Sequence, residues 1–205
     1  MIYFFQSLSL KTRFVGVLIL LFPVLGFQWL WNGTPWGLAA MKLAGHGAGV
    51  PDTSFWYSPA ALQTLFASWG PRGREIYLTV LWPTDLGLLL SYGVFLTAAM
   101  LYLLKKVNPA SVWWYLWPLL PLGTTGFDLA ENLAVALALI LPPEGWEPVS
   151  WAAAGLTAGK WVGLALTVTS LVAGTAAGLV RLGWQKWKAS RDAGTRTLAD
   201  RDGDV

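Results

Sequence analysis

Residues 76–104 read IYLTVLWPTDLGLLLSYGVFLTAAMLYLL, and Asp85 is the only charged side chain in this stretch. A helix of about 20 apolar residues spans a hydrocarbon core about 30 Å thick, so the stretch is long enough to cross a membrane. Further stretches of the same character lie at residues 14–31, 112–141 and 151–180. The sequence therefore predicts an all-α integral membrane protein, built as a bundle of four transmembrane helices.

The composition supports this assignment. The chain has 205 residues, of which 55% are hydrophobic and 12% are charged, whereas soluble domains carry about 25% charged residues. The absence of cysteine excludes disulfides, thiolate catalysis and cysteine-ligated zinc. The net charge of +3 lies mainly in segments that flank the apolar stretches, so we interpret it as a topology signal and expect no nucleic-acid partner. Membrane lipids are the expected partners, other membrane subunits are further candidates, and the sequence identifies no cofactor.

The distribution of basic residues predicts the orientation. With the N-terminus inside, the inner segments hold Lys11, Arg13, Lys105, Lys106, Arg181, Lys186, Lys188, Arg191, Arg196 and Arg201. The outer loops then hold only Lys42, Arg72 and Arg74. Because basic residues favour cytoplasmic loops, we expect both termini in the cytoplasm. The short loops suggest a bacterial inner (plasma) membrane.

The large outer loop, residues 32–75, contains a different helical signal. Ser58 can cap a helix that begins with Pro59. Apolar side chains then recur at the spacing of one helical face: Leu62, Leu65, Phe66 and Trp69. We predict a short amphipathic helix that lies on the outer membrane surface as a lid. Residues 1–188 then form a single transmembrane domain, and residues 189–205 form a polar, disordered cytoplasmic tail.

Four ionisable side chains interrupt the predicted membrane helices: Asp85, Asp128, Glu131 and Lys160. Such groups are costly inside a bilayer and usually face the interior of a bundle. Asp85 lies 20 residues before Lys105, and Lys160 lies 21 residues before Arg181. At 1.5 Å per residue, both lie roughly 30 Å from the inner boundary. The spacing therefore predicts that separate helices bring their charges to one level, near the outer edge of the hydrocarbon.

Spacing also predicts which of these groups share a helix face. Asp128, Glu131 and Asn132 occupy positions i, i+3 and i+4 of one helix, and Tyr92 follows Asp85 by seven residues on another. The candidate catalytic acids and bases are Asp85, Asp128 and Glu131. The candidate ligand-binding residues are Lys160, Arg72, Arg74, Asn132 and Tyr92.

The predicted cluster is not electrically balanced. Three carboxylates against one lysine leave a formal excess of two negative charges. We expect Arg72 and Arg74 to supply the balance; otherwise a carboxylate must be protonated or a cation bound. The carboxylates lack a recognisable metal-ligand spacing, so no metal site is predicted. The opposing interpretation is that the cluster is structural, because buried ion pairs also fix helix packing.

Glycines in the fourth predicted helix indicate close packing. Gly155, Gly159 and Gly163 form a GxxxGxxxG pattern, and Gly174 and Gly178 form a GxxxG pattern. This spacing lets helix backbones approach each other closely. The partner of this face is either another helix of the same bundle or another subunit.

The chain has no phosphate-binding loop, HExxH or GxSxG motif, so no catalytic motif identifies its function. Three functional hypotheses remain open. The first is a non-catalytic accessory or assembly subunit of a membrane complex. The second is a small enzyme or binding protein for an outer-leaflet lipid or amphiphile, with Asp128 and Glu131 as the acid/base pair and Lys160 and Arg74 holding an anionic group. The third is proton or cation translocation, for which the obvious steps inward are Tyr92, Thr124 and Thr167.

Overall fold

A computed structural model describes the backbone of residues 1–107, 109–141 and 146–202, and their side chains except those of 189, 190 and 192–202. Every regular element in these ranges is helical, which confirms the all-α prediction. The α-helices are α1 (Ile2–Lys11), α2 (Phe14–Gly33), α3 (Leu38–Ala44), α4 (Pro59–Ile76), α5 (Trp82–Val107), α6 (Leu119–Ile140) and α7 (Trp146–Asp202). A π-helical turn, Tyr77–Leu81, joins α4 to α5, and short 3-10 helices cover Pro51–Thr53 and Val112–Leu116.

Three helical segments are long and apolar enough to cross a membrane: Phe14–Ala44, Pro59–Val107 and Trp146–Lys188. They contain three of the four predicted spans and are typical of a membrane protein. The remaining predicted span, α6, carries Asp128, Glu131 and Asn132, which lower its mean hydropathy. A bundle with α6 as a fourth span remains a proposal.

Several predicted boundaries are corrected by the structure. The stretch predicted as one helix over 112–141 is divided, because α6 begins only after Pro118; a proline suits a helix start and interrupts a helix interior. The last helix starts earlier than predicted, at Trp146. It also extends further, to Asp202, and no proline after Pro148 interrupts it. The backbone of 189–202, predicted to be disordered, is therefore helical, and 203–205 lie outside the described residues.

The predicted amphipathic helix is α4, but its apolar face has a different partner. Ser58 Oγ accepts a hydrogen bond from the backbone N–H of Ala61 at 3.2 Å, which fixes the helix start as predicted. Three of the four predicted apolar side chains are buried within the protein: Leu62, Phe66 and Trp69. Trp69 stacks on Tyr77 with ring centroids 5.0 Å apart. The expectation that this face lies on the membrane surface is therefore wrong, because it packs on the bundle and caps one end of it.

The bundle is held by the pairs α6–α7, α2–α5 and α5–α6. Two apolar clusters form its core. The first, at the capped end, joins α4 to the end of α6 and the start of α7. The second gathers at the opposite end: Phe5, Met100, Leu101, Leu104 and Tyr115. The polar groups described below lie with α5, α6 and α7 between these clusters.

The α7 glycines contact helices of the same chain. A methyl group placed on Gly163 would lie 2.5 Å from Thr124 Oγ1 of α6, and one on Gly159 would lie 3.0 Å from the Phe127 ring. A methyl group on Gly174 would lie equally close to Leu103 of α5, at 2.5 Å. In contrast, a methyl group on Gly155 would meet open space, and one on Gly178 would lie 3.9 Å from Val107, an ordinary van der Waals contact. Close packing within the bundle therefore involves three of the five predicted glycines.

Candidate functional site

The ammonium group of Lys160 lies among three carboxylates. Its Nζ is 2.8 Å from Asp52 Oδ1, 3.1 Å from Asp128 Oδ1 and 2.5 Å from Glu131 Oε2. Lys160 comes from α7, and Asp128 and Glu131 lie about one turn apart on α6. The structure therefore brings together the charges that the sequence placed at one level.

Sequence reasoning missed Asp52, which lies in the 3-10 turn Pro51–Thr53. Its side chain is 16% exposed, and its Oδ2 is a buried oxygen without a hydrogen-bond donor. One feature of the sequence could have drawn attention to Asp52. The loop 32–75 contains only two acidic residues, Asp52 and Glu75. Helical spacing gives no information about a loop residue, so its partner could not be predicted.

The loop that carries Asp52 is fixed over the cluster by aromatic side chains. Trp161 Nε1 donates to the Ser54 carbonyl at 3.1 Å, and Trp69 Nε1 donates to the Gly49 carbonyl at 3.1 Å. These bonds come from α7 and α4. The loop therefore closes the cluster at the capped end of the bundle.

Asp128 connects this ionic group to a second set of hydrogen bonds. Tyr92 OH donates to Asp128 Oδ2 at 2.5 Å. Asn132 Nδ2 lies 2.5 Å from Asp85 Oδ2 and 3.3 Å from Asp128 Oδ1. Trp82 Nε1 donates to the Asn132 carbonyl at 3.1 Å. The candidates Asp85, Tyr92 and Asn132 thus belong to one network with Lys160.

Glu131 is fully buried and has its own hydroxyl partners. Thr157 Oγ1 lies 2.7 Å from Glu131 Oε1 and 3.1 Å from the Tyr57 hydroxyl. Thr157 Oγ1 also lies 2.9 Å from the Ala153 carbonyl. Because a threonine hydroxyl has one proton, Glu131 and the Ala153 carbonyl share it as acceptors, while Thr157 can accept from Tyr57. Burial raises the pKa of the Tyr57 phenol, which keeps it protonated and able to donate.

The predicted balancing arginines lie elsewhere. Arg72 pairs with Glu75 at 2.7 Å on the surface, with both side chains mostly exposed. Arg74 Nε donates to the Phe66 carbonyl at 3.2 Å. Arg74 lines a separate cavity of about 580 Å³ next to α4 and Trp146. The kink at Gly70, with φ of +59°, separates the buried face of α4 from this arginine segment, so the expectation that they join the cluster is wrong.

The imbalance of charge is larger than predicted. In the described part of the chain, four carboxylates are matched by the single ammonium of Lys160: Asp52, Asp85, Asp128 and Glu131. Carboxylates in such a dry environment cannot all ionise without a compensating charge. Oxygens of Asp52, Asp128 and Glu131 lie within 4.8 Å of one another, a spacing suited to a metal ion. However, Lys160 contacts all three, and a metal ion would compete with it for the same oxygens.

A crevice of about 360 Å³ reaches this network from the side of the bundle. Its walls are mainly apolar, and its charged groups are Asp128 and Lys160. The other lining residues are Val24, Gln28, Leu88, Tyr92, Phe95, Leu96, Trp161 and Leu164. All of them belong to α2, α5 or α7 and none to a loop, so the crevice opens between helices.

The predicted inward steps do not continue the network. Thr124 Oγ1 donates to the Leu120 carbonyl at 2.9 Å, and Thr167 Oγ1 donates to the Gly163 carbonyl at 2.8 Å. Each hydroxyl proton is therefore engaged with its own helix backbone. This arrangement does not favour proton or cation translocation as the function.

No protein family matches the chain, and neither a curated protein nor a solved structure matches it. What the site does must therefore be inferred from its own geometry and chemistry.

Proposed function

We propose that the chain is an integral membrane protein that binds an amphiphile from the surrounding bilayer, with Asp128 as the group that exchanges a proton with the ligand. The observation that carries this proposal is the lateral crevice, which joins an apolar groove to a buried ionic network. Ligand sites combine mainly apolar walls with a few placed polar groups, and they typically enclose about 300–1,000 Å³. The volume of the crevice lies within that range.

The direction of access supports an amphiphile over a water-soluble ligand. The Asp52 loop covers the network at the capped end through Lys160 and Trp161. The remaining approach passes between α2, α5 and α7, whose surfaces carry many exposed apolar side chains. A membrane solvates such a surface, so a molecule already dissolved in the membrane reaches the crevice most easily.

The carboxylates differ in the roles that they can take. Asp128 lines the crevice and contacts both Tyr92 and Lys160. Glu131 is fully buried behind Lys160 and can accept or return a proton without touching the ligand. Asp85 communicates with Asp128 through Asn132. Asp128 is therefore the candidate catalytic residue, and Glu131 and Asp85 are positioning or proton-storing groups.

Filling the crevice should abolish binding. We expect Leu88→Trp to reduce labelling of the purified protein at least about tenfold, because the larger ring occupies the apolar groove and added core volume is poorly tolerated. The reagents are three alkyl amphiphiles of equal length that carry a diazirine in the chain and an amine, hydroxyl or phosphate headgroup. Labelling is mapped by peptide mass spectrometry.

The matched control for this experiment is Leu90→Trp. It lies on the same helix but is 56% exposed and lies outside the crevice, so labelling should be unchanged. Equal labelling of the two variants, or label distributed evenly over all exposed helices, would refute the amphiphile site.

The proposed topology has four spans, α2, α5, α6 and α7, with both termini in the cytoplasm of a bacterium. Because the chain lacks cysteine, single variants Lys11→Cys, Lys42→Cys and Lys188→Cys can each be labelled with a membrane-impermeant maleimide. We expect only Lys42→Cys to react in intact spheroplasts, and the other two after lysis. If α6 does not span, the number of crossings is odd, and positions 11 and 188 will react from opposite sides.

A second candidate is the accessory or assembly subunit predicted from the sequence. It is favoured by another apolar groove, of about 420 Å³, between α6 and α7. Gly155 faces open space on the same helix, which leaves room for a helix of another subunit. Native mass spectrometry after gentle extraction separates the candidates. A defined complex with other polypeptides favours the subunit, and a lone chain with a bound amphiphile favours the crevice.

A further inference from the structure

The hydrogen-bond donors that line the crevice are already engaged. An ammonium group has three N–H donors, and Lys160 faces three carboxylate oxygens at 2.8, 3.1 and 2.5 Å. Tyr92 OH donates to Asp128 Oδ2, and Trp161 Nε1 donates to the Ser54 carbonyl. Gln28 is the one remaining polar lining residue, and its amide offers both a donor and an acceptor.

The acceptors, in contrast, are not exhausted. A carboxylate has about four lone-pair sites, and the contacts of Asp128 are with Lys160, Tyr92 and Asn132. The phenol oxygen of Tyr92 can accept as well as donate. Behind them, Asp52 Oδ2 is buried without a hydrogen-bond donor. The crevice therefore presents acceptors to a ligand that supplies N–H groups.

The electrostatics lead to the same conclusion. Three carboxylates contact the one ammonium of the described network, and a fourth, Asp85, is bonded to Asn132 beside Asp128. The field at the inner end of the crevice is therefore negative as soon as more than one of them is ionised, and a cationic ligand supplies compensating charge. This field would repel an anionic headgroup. Lys160, the cationic side chain of the crevice, already faces carboxylates and so does not offset the repulsion. The earlier expectation that Lys160 and Arg74 hold an anionic group is not supported, because Lys160 already faces three carboxylates and Arg74 lines a different cavity.

We infer that the ligand of the crevice is a long-chain amine, bound with its protonated amino group at Asp128 and its alkyl chain along α2, α5 and α7. This inference rests on the proposed amphiphile site and specifies its ligand class. The chain contacts would be apolar side chains: Val24, Leu88, Phe95, Leu96 and Leu164. Gln28 and Tyr92 would accept the remaining N–H groups of the amine.

The test compares the three diazirine amphiphiles on the unmodified full-length chain in neutral phosphatidylcholine nanodiscs. We expect half-maximal labelling of the crevice by the amine at about tenfold lower concentration than by the alcohol or the phosphate, because a charge-assisted hydrogen bond is worth about that factor. In Asp128→Asn the amine advantage should fall to about twofold or less. Glu75→Gln, which removes an exposed carboxylate outside the network, should keep the full advantage.

The outcomes separate this inference from the proposal beneath it. Crevice labelling led by the alcohol or the phosphate would overturn the amine assignment and leave the amphiphile site intact. Failure of all three reagents to label the crevice would overturn both. The headgroup ranking on the unmodified chain does not depend on any variant, so misfolding of Asp128→Asn would not prevent a decision.

Discussion

Lys160→Met is expected to destabilise the protein by about 3–5 kcal/mol, because it leaves carboxylates buried without their cation. Methionine is similar in length to lysine and fills the same space, so the loss reflects charge more than packing. Lys160 contacts carboxylates from both α6 and the Asp52 loop, so two separate parts of the fold lose their connection. Equilibrium unfolding in detergent micelles or steric trapping in bicelles measures the difference.

Two further variants make this expectation specific. Lys42→Met removes an exposed cation of α3 and should change stability by less than about 0.5 kcal/mol. The double variant Lys160→Met with Glu131→Gln should recover part of the loss, since it removes a charge that has lost its partner. A loss below about 1 kcal/mol for Lys160→Met, or strict additivity in the double variant, would contradict an ionised network.

The same double variant also separates the structural from the functional interpretation of the network. If the network only fixes packing, recovery of stability should be accompanied by normal amphiphile labelling. If the network serves the crevice, labelling of the double variant by the amine should still differ from labelling of the unmodified chain. The reason is that the electric field at Asp128 has changed even though the fold is restored.

Gly163→Leu is expected to destabilise the bundle by about 1–3 kcal/mol or more through overpacking between α6 and α7. Even a single methyl group at this position would lie 2.5 Å from Thr124 Oγ1 and 3.3 Å from Thr124 Cβ. Thr124 is buried, and its hydroxyl is bonded to its own helix, so it cannot move aside without losing a hydrogen bond. The helices must therefore separate.

Gly155→Leu is the matched control on the same helix. Its added side chain meets no atom within 4 Å at the Cβ position, so stability in detergent should change little or rise slightly, since glycine is a poor helix former. Thr124→Ala should relieve part of the Gly163→Leu defect by removing the closest atom, Thr124 Oγ1. If both glycines tolerate leucine equally, α7 does not pack on α6 as described. If Gly155→Leu instead dissociates a native complex, its open face belongs to an intersubunit contact.

Much of the architecture could be predicted from local sequence. The length of each apolar stretch gave three helical segments capable of crossing a membrane, and Ser58 and Pro59 fixed the start of α4. The common level of Asp85 and Lys160 followed from the constant rise of a helix, counted from the basic residues Lys105 and Arg181 towards the inner ends of their helices. These features depend on contacts within one helix, where spacing in sequence converts directly into distance.

Only the tertiary structure decided which groups face each other. Asp52 joins Lys160 because the chain between α3 and α4 folds back over α7, and no local periodicity encodes that return. The buried face of α4 was recognised from its pattern, but an amphipathic pattern fits a membrane surface and a protein core equally well. The crevice exists because α2, α5 and α7 leave a gap beside Asp128, and a gap is a property of packing. The sequence by itself determined the helices and the depth of their charges, while their partners and the space between them were decided by long-range contacts that helical geometry does not specify.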